Sequence, residues 1–429
     1  MIKFIFQFLF IFILWMSNKN TKGHWLTSSS VLIGIYAVCA FLGIIELIIG
    51  DYTQPYDDKY WIPMLEFDLY LLLFLLPFRL FKENSIKKLV LPSKRILNIF
   101  SIIVIVLSLY SIIFFIGSVK NIFLMASLAD ARNAKELYFE EGINATIASV
   151  AAANYVFAIV LFFINEIMDG GKWKRFLLLF ASLSEPIHVM SFVGRDGVVF
   201  WIFTFVFCYA FFLPYLPVYK TKALLRSFIV IGSVLLIPFF LISISRFGDS
   251  DSGTGGSFVS YLGHAFIQGP LYFGLDNKPY EPGAIFPLFQ KILGRPETVS
   301  DGVTIIGDWV SYKFSTFVVS LYICLDFMGL ALLLLFVYLL VLSTFCKAKR
   351  VLTFGQFIVY LLYFQVVGQG VFYFRHYTRG GNLFILSCLA LAILFSILTK
   401  MGKPIVLEKV ARVREYKVSR KKTSVTNIS

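Results

Sequence analysis

Long apolar runs parted by short polar breaks recur along the whole chain. About 20 such residues cross the hydrocarbon of a bilayer as a helix. The pattern predicts spans at 2–16, 28–50, 63–81, 96–119, 143–168, 176–193, 197–216, 227–244, 314–342, 352–373 and 382–399. The first run is short. The seventh is bounded by Gly197 and by the two prolines of "PYLPVYK", which stop a helix. The expected fold is all-α: one polytopic integral membrane domain over residues 1–429, with about 11 transmembrane helices (10–12).

The breaks fall into two kinds. "KENSIKKLVLPSKR" (82–95), "GGKWKR" (170–175), "KTKALLR" (220–226), "CKAKR" (346–350) and the tail 400–429 are basic. Short cytoplasmic loops carry the lysine and arginine excess in membrane proteins, so these five and the C-terminus are expected in the cytoplasm. The outer side then receives 51–62, 120–142, 194–196, 245–313 and 375–381. The opening "MIKFIFQFLFIFILW" imitates a signal peptide without a small-residue cleavage site, and is expected to be a retained first segment. Lys3 opposes an outer N-terminus, which allows a re-entrant first segment or a count shifted by one.

Composition agrees with the pattern. The chain is 58% hydrophobic and 15% charged, against roughly a quarter charged in soluble domains, and its mean hydropathy is +0.80. The net charge of +14 sits in the breaks and the tail, the footprint of topology and anionic lipid rather than of nucleic acid. Five scattered cysteines (Cys39, Cys208, Cys324, Cys346, Cys388) form no CxxC pair, and most fall in apolar runs as small hydrophobes. Four histidines form no HExxH, and neither a P-loop nor a GxGxxG is present. No metal or cofactor is expected.

One break is far longer than the rest. Residues 245–313 form an expected large extracytoplasmic loop within the membrane domain, rich in glycine, proline and aromatics, with seven acids against five bases. Its apolar stretches "FVSYLGHAFI" and "AIFPLFQKIL" are too short to span and suit amphipathic helices lying on the membrane. A loop of this length in a compact domain is usually functional or disordered, and its aromatic content argues against simple disorder.

The candidate chemistry gathers on the outer side. Arg132, Arg195, Arg246, Arg375 and Arg379 all fall at or near that surface, against the positive-inside bias. A guanidinium is a permanent, fork-shaped cation matched to phosphate oxygens, so these five are candidate pyrophosphate ligands. Each can instead pair with a nearby acid or reach to headgroups. In "FVGRDGVVF" the glycines are expected to allow a tight reversal, with Asp196 orienting Arg195. Glu185 and His188 in "SEPIHVM" lie three apart on one helix face beside the break expected at Pro186, a spacing that suits proton transfer. A buried hydrogen-bonded pair is the alternative. Glu66, Asp68 and Asp326 are further intramembrane acids, Asp326 being read as structural. Asp276, Tyr280, Asp308 and Trp309 in the long loop, with Tyr261, Tyr272, Glu281 and Asp301, suit a saccharide through ring stacking and carboxylate acceptance.

The outline resembles the Wzy-type polymerases of bacterial O-antigen and capsular repeat units. The resemblance rests on the span count, the large late outer loop, and the words "FVGRDGVVF", "LADARNAKELYF" and "STFVVSLYICLDFMGLALL". It implies a membrane-embedded glycosyltransferase of GT-C-like architecture, in the cytoplasmic (inner) membrane with its active site on the outer side. Such an enzyme uses a polyprenyl-pyrophosphate-linked (undecaprenyl-type) donor and acceptor, and a chain-length regulator is a further implied partner. The family's outer-loop arginines bind the donor, a role open here to Arg132, Arg195, Arg246, Arg375 and Arg379. A lipid-linked-oligosaccharide flippase or other transporter is the alternative from another class. Transporters tend to show internal repeats and charge in the middle of spans; here no repeat is seen and the charge collects on the outer side. An O-antigen ligase is the alternative within the enzyme class.

Overall fold

All eleven apolar stretches are helical in the computed structural model, which describes residues 2–22, 26–49, 61–81, 83–124, 142–247, 253–274, 285–294, 304–306, 309–311, 315–342, 344 and 350–410. In chain order the helices are α1 (Ile2–Lys22), α2 (Ser28–Ile49), α3 (Trp61–Leu80), α4 (Lys94–Leu124), α5 (Ile143–Ala152), α6 (Tyr155–Ile167), α7 (Lys172–Ala181) and α8 (Ser184–Met190). They continue with α9 (Asp196–Phe212), α10 (Val218–Phe247), α11 (Gly253–Phe273), α12 (Pro287–Ile292), α13 (Thr316–Val341), α14 (Phe354–Gln369) and α15 (Arg379–Met401). Among the described residues six helices are long and apolar enough to cross a membrane: Ser28–Ile49, Lys94–Ile122, Ile143–Ile167, Asp196–Tyr215, Val218–Ile242 and Arg379–Met401. Shorter apolar helices accompany them at Ile2–Asn18, Thr316–Leu325, Met328–Val341 and Phe354–Gln369. The protein is thus a mostly helical membrane protein.

The distribution of exposure fits lipid as the surrounding solvent. Ile102, Ile113, Val230 and Ile237 on α4 and α10 are more than half exposed, and Leu332, Leu335 and Leu339 do the same on α13. A patch of this kind on a water-soluble protein would drive aggregation. The centre is α6, in which every residue from Tyr155 to Glu166 is buried. Beside it lies α14, with Phe207 of α9 stacked on Phe364 at 3.8 Å between centroids. Helices in lipid gain little from hydrophobic transfer and associate through packing and hydrogen bonds, and this centre supplies both.

A small sheet fixes which loops share an end of the bundle. β1 (Lys88–Leu91), β4 (Val351–Thr353) and β5 (Ile405–Glu408) form a sheet of order β4–β1–β5, parallel on the first side and antiparallel on the second. A separate hairpin pairs β2 (Thr304–Ile306) with β3 (Trp309–Ser311). The three-stranded sheet joins the basic segments 82–95, 346–350 and the start of the tail. Lys174 reaches Asn98 at 2.8 Å, Lys220 meets Asp169, and the Val410 amide donates to Pro214 at 2.9 Å. The described parts of all five basic segments therefore gather at one end.

The long break 245–313 differs from its expected form. Its stretch "FVSYLGHAFI" belongs to the 21-residue α11, which packs along α2 and α3 with Ala265, Phe266 and Ile267 fully buried. Glycine makes this possible: a Cβ at Gly263 would lie 2.5 Å from the backbone nitrogen of Gly43, and one at Gly269 would lie 2.9 Å from the Phe67 ring. His264 meets the buried Glu46 at 2.9 Å. At its far end Phe273 stacks on Tyr322 at 4.0 Å and meets Phe67 and Tyr70. Ile285 and Phe286 return to Asn382 and Phe374. The segment thus dips into the bundle and comes back to the end opposite the sheet.

Candidate functional site

The opposite end is built around the reversal between α8 and α9. The preceding helical run breaks at Ser182–Leu183, so that Pro186 sits in the first turn of α8, where its missing amide costs least. The turn itself differs from the expectation that its glycines carry it. Val193 takes the left-handed conformation, with φ of 58°, which costs a β-branched residue about 1–3 kcal/mol. Its side chain is held between Ile122 and Ile242. The two glycines serve close approach instead. A Cβ at Gly194 would lie 2.6 Å from Val189 Cγ1, and one at Gly197 would lie 2.7 Å from Val189 Cβ and 3.1 Å from the Glu185 carbonyl oxygen. Gly197→Ala is expected to lower stability by about 1–3 kcal/mol through this overpacking. Thermal unfolding in detergent reads it, and an unchanged midpoint would show that the packing gives way freely.

With α9 drawn against α8, an enclosed polar cluster forms where α6, α8, α9 and α14 meet the turn 373–378. Arg375 is its centre. Its Nη2 donates to Glu185 in a close ion pair, and its Nη1 donates to Gln369 Oε1 at 2.5 Å and to the Tyr155 hydroxyl at 3.3 Å. The guanidinium also lies 4.8 Å from the Phe200 ring centre, a cation–π contact that strengthens as water is excluded. Gln369 donates in turn to Gln365 Oε1 at 2.5 Å and to Tyr155, while Tyr155 lies 3.2 Å from the Thr204 hydroxyl. Side-chain exposures of 16% for Arg375 and 4% for Glu185 make this a largely buried pair. Such a pair is neutral as a whole but costly to break from either side.

The cluster borders a cavity of about 190 Å³. Glu185, His188, Asp196, Tyr373, Arg375 and His376 line it, with Thr378, Gly380 and Gly381 at the start of α15. His188 Nδ1 is 3.7 Å from Glu185, and its ring packs on Phe115 at 4.6 Å and Phe192 at 5.3 Å. Asp196 accepts a close hydrogen bond from the Tyr373 hydroxyl. His376 is 5% exposed and stacks on Phe384 at 5.7 Å. Burial and then the Arg375 cation push it down to about 3, so it is neutral at ordinary pH. Its Nδ1 is buried with no hydrogen-bond partner among the described residues.

The structure brings four of the candidate residues onto one cavity: Glu185, His188, Asp196 and Arg375. Arg195 is placed elsewhere. It is buried, and its guanidinium lies over the Phe239 ring of α10 at 5.9 Å, outside the residues lining the cavity. The contact found for Asp196 is with Tyr373, a different partner from the one expected. Arg379 is exposed at the first turn of α15. Arg246 and Trp309 fall in α10 and β3. Arg132, Asp276, Tyr280 and Asp308 lie outside the described residues, as do Glu281 and Asp301. Tyr261 falls in α11, where Tyr272 is buried, and Asp326 falls in α13. Asp68 accepts from Gln7 at 2.8 Å, an ordinary interhelical tie.

Sequence reading passed over Tyr155, Gln365, Gln369, Tyr373 and His376. Two of them carry a signal: Gln365 and Gln369 stand four apart in the apolar run "YFQVVGQG", so they fall on one face of α14. Uncompensated amides in a span are expensive and mark a polar interior. The arrangement offers a fixed cation, an acid–imidazole pair and a neutral histidine around one small opening. Comparison with protein-family models, with curated proteins and with solved structures returns no match.

Proposed function

We propose that this chain is a membrane glycosyltransferase, resembling the Wzy-type polymerases, that joins polyprenyl-diphosphate-linked oligosaccharide units at the outer face of the bacterial cytoplasmic membrane. All eleven helical stretches cross the bilayer in this reading, with the sheet end and the C-terminus in the cytoplasm and the Arg375 cavity facing out. The gathering of the described parts of all five basic segments at the sheet end supports that orientation. The observation that carries the reading is the half-buried Arg375 cation, held beside an acid–imidazole pair in a cavity at the opposite end.

The cavity suits a diphosphate better than a saccharide. At about 190 Å³ it is smaller than the roughly 300–1,000 Å³ that envelops a drug-sized ligand, so the sugars lie across its mouth at Tyr377, Thr378 and Gly380. In the proposed reaction an acceptor hydroxyl attacks the anomeric carbon of the growing chain. The bond from that carbon to the diphosphate oxygen breaks, and its electron pair leaves with the lipid diphosphate. Arg375 stabilises the charge on the leaving group. His188 takes the hydroxyl proton, and Glu185 balances the imidazolium that forms. His376, uncharged and stacked on Phe384, forms part of the cavity wall beside Arg375.

Purified protein given a defined lipid-diphosphate repeat unit should yield products of two units and more, with release of one lipid diphosphate per bond formed. Movement of the substrate across proteoliposomes without new glycosidic bonds would instead make the chain a transporter. Transfer only to a lipid A core acceptor would make it a ligase.

A further inference from the structure

A second cavity, of about 320 Å³, lies at the opposite, sheet end of the bundle, between the start of α4 and the turn joining α6 to α7. Lys94, Asn98, Asn165 and Lys174 line it, together with Gly170 and Gly171. The placing of its lysines runs against local electrostatics. Lys94 opens α4 and Lys174 stands in the first turn of α7, and neither first turn holds an acid. Helix N-termini carry partial positive charge and favour carboxylates. Here two N-termini and two ammonium groups converge on one opening.

The nearby acids are already engaged. Asp169, which also borders the cavity, pairs with Lys220, and Glu166 pairs with Arg175. Among the described residues no carboxylate pairs with Lys94 or Lys174, and the one bond of Lys174 is to Asn98 Oδ1 at 2.8 Å. Burial and then Lys94 lower the pKa of Lys174, the mark of a cation held where a counter-charge is wanting. An independent feature borders the same space. Asn165 is 6% exposed, and its Nδ2 is buried with no hydrogen-bond partner among the described residues. A buried amide donor in that state carries a desolvation cost that nothing among the described residues offsets. Gly170 makes room for it, since a Cβ there would lie 2.0 Å from Asn165 Oδ1. Trp173 and Phe176, 81% and 59% exposed on α7, mark the opening as lying at headgroup depth.

We propose that this cavity is a binding site for a phosphate group, with Lys94 and Lys174 as its charge partners and the Asn165 amide as a hydrogen-bond donor. The positive-inside bias accounts for the number of lysines at this end. It does not account for their convergence with a buried, unsatisfied donor on one cavity. Phosphate chemistry reaches this place from an anionic lipid headgroup or from solution. The site is separate from the Arg375 cavity, so its fate is independent of the reading of function above.

The test uses full-length protein in detergent, titrated in one arm with phosphatidylglycerol and followed by native mass spectrometry. A second arm uses inorganic phosphate with the protein in a phosphate-free maltoside detergent, followed by calorimetry. One tight equivalent in the first arm identifies a lipid headgroup, and saturation in the second identifies a soluble phosphate. In the arm that binds, Lys94→Gln with Lys174→Gln should weaken affinity at least tenfold. Asn165→Asp, which keeps the volume and sets a carboxylate in the cavity, should do the same. The charge-matched control Lys400→Gln with Lys403→Gln, at the same end and outside the cavity, should leave it unchanged. Thermal unfolding confirms that each variant is folded. Binding in neither arm, or equal affinity in the lysine pair and the control, overturns the proposal.

Discussion

Arg375→Gln is expected to reduce polymer formation by about 10²–10³-fold, the usual effect of removing one charge-stabilising donor from a reaction centre. It is also expected to cost about 3–5 kcal/mol of stability, because Glu185 would be left as a buried charge without its counter-ion. The Gln369 and Tyr155 acceptors lose their donor at the same time. The two effects separate in Arg375→Gln with Glu185→Gln, which leaves two neutral amides of suitable size. That double variant should regain most of the thermal stability and none of the activity. Arg375→Lys should not rescue activity, since an ammonium on one flexible stem cannot reproduce the fork that meets Glu185, Gln369 and Tyr155 together. Unfolding midpoints and product lengths, measured on the same preparations, check both halves.

Gly263→Leu is the substitution expected to disturb the fold most. The Gly263 backbone lies against Gly43, and even a Cβ there would come within 2.6 Å of the Leu42 carbonyl carbon. Neither backbone is the flexible end of a side chain, so the helices must separate. The cost should reach the upper part of the 1–3 kcal/mol range for overpacking, or exceed it. Small residues at such a contact are what allow helices to approach in a membrane. Separation of α11 from α2 would also break the His264–Glu46 contact. New protease cleavage within 253–273, with a lowered unfolding midpoint, is the expected signature. Gly232→Leu on α10, where a Cβ would meet nothing within 4 Å, should leave both unchanged.

The helices were legible because lipid imposes length and apolarity on a span: six of the eleven stretches lie in helices long and apolar enough to cross, and the other five fall in shorter, broken or less apolar helices. The basic segments were legible because a lysine and arginine excess marks one side of a membrane protein, and their described parts share one end, three joined by the sheet and two placed by the Lys174–Asn98 and Lys220–Asp169 contacts. α11 was not legible as a bundle helix. Its glycines read as loop punctuation, yet Gly263 and Gly269 serve to bring backbone against a neighbouring helix and ring. The site was half visible. Glu185, His188, Asp196 and Arg375 stood out as charges in apolar surroundings, and they share a cavity. Their partnership was not readable, because Arg375 and Glu185 are 190 residues apart in sequence and no local pattern links them. Arg195 drew notice from its place in a glycine-flanked reversal, but that same reversal turns it toward Phe239. Charge in an apolar run marks a residue as costly. Only the packing shows which partner offsets that cost.

The most direct test is in vitro polymerisation of a defined lipid-diphosphate repeat unit by purified protein, comparing the wild type with the Arg375→Gln, Glu185→Gln double variant at matched thermal stability. The account predicts a ladder of multi-unit products with the wild type and none above the single unit with the variant. An undiminished ladder from the folded variant would contradict it.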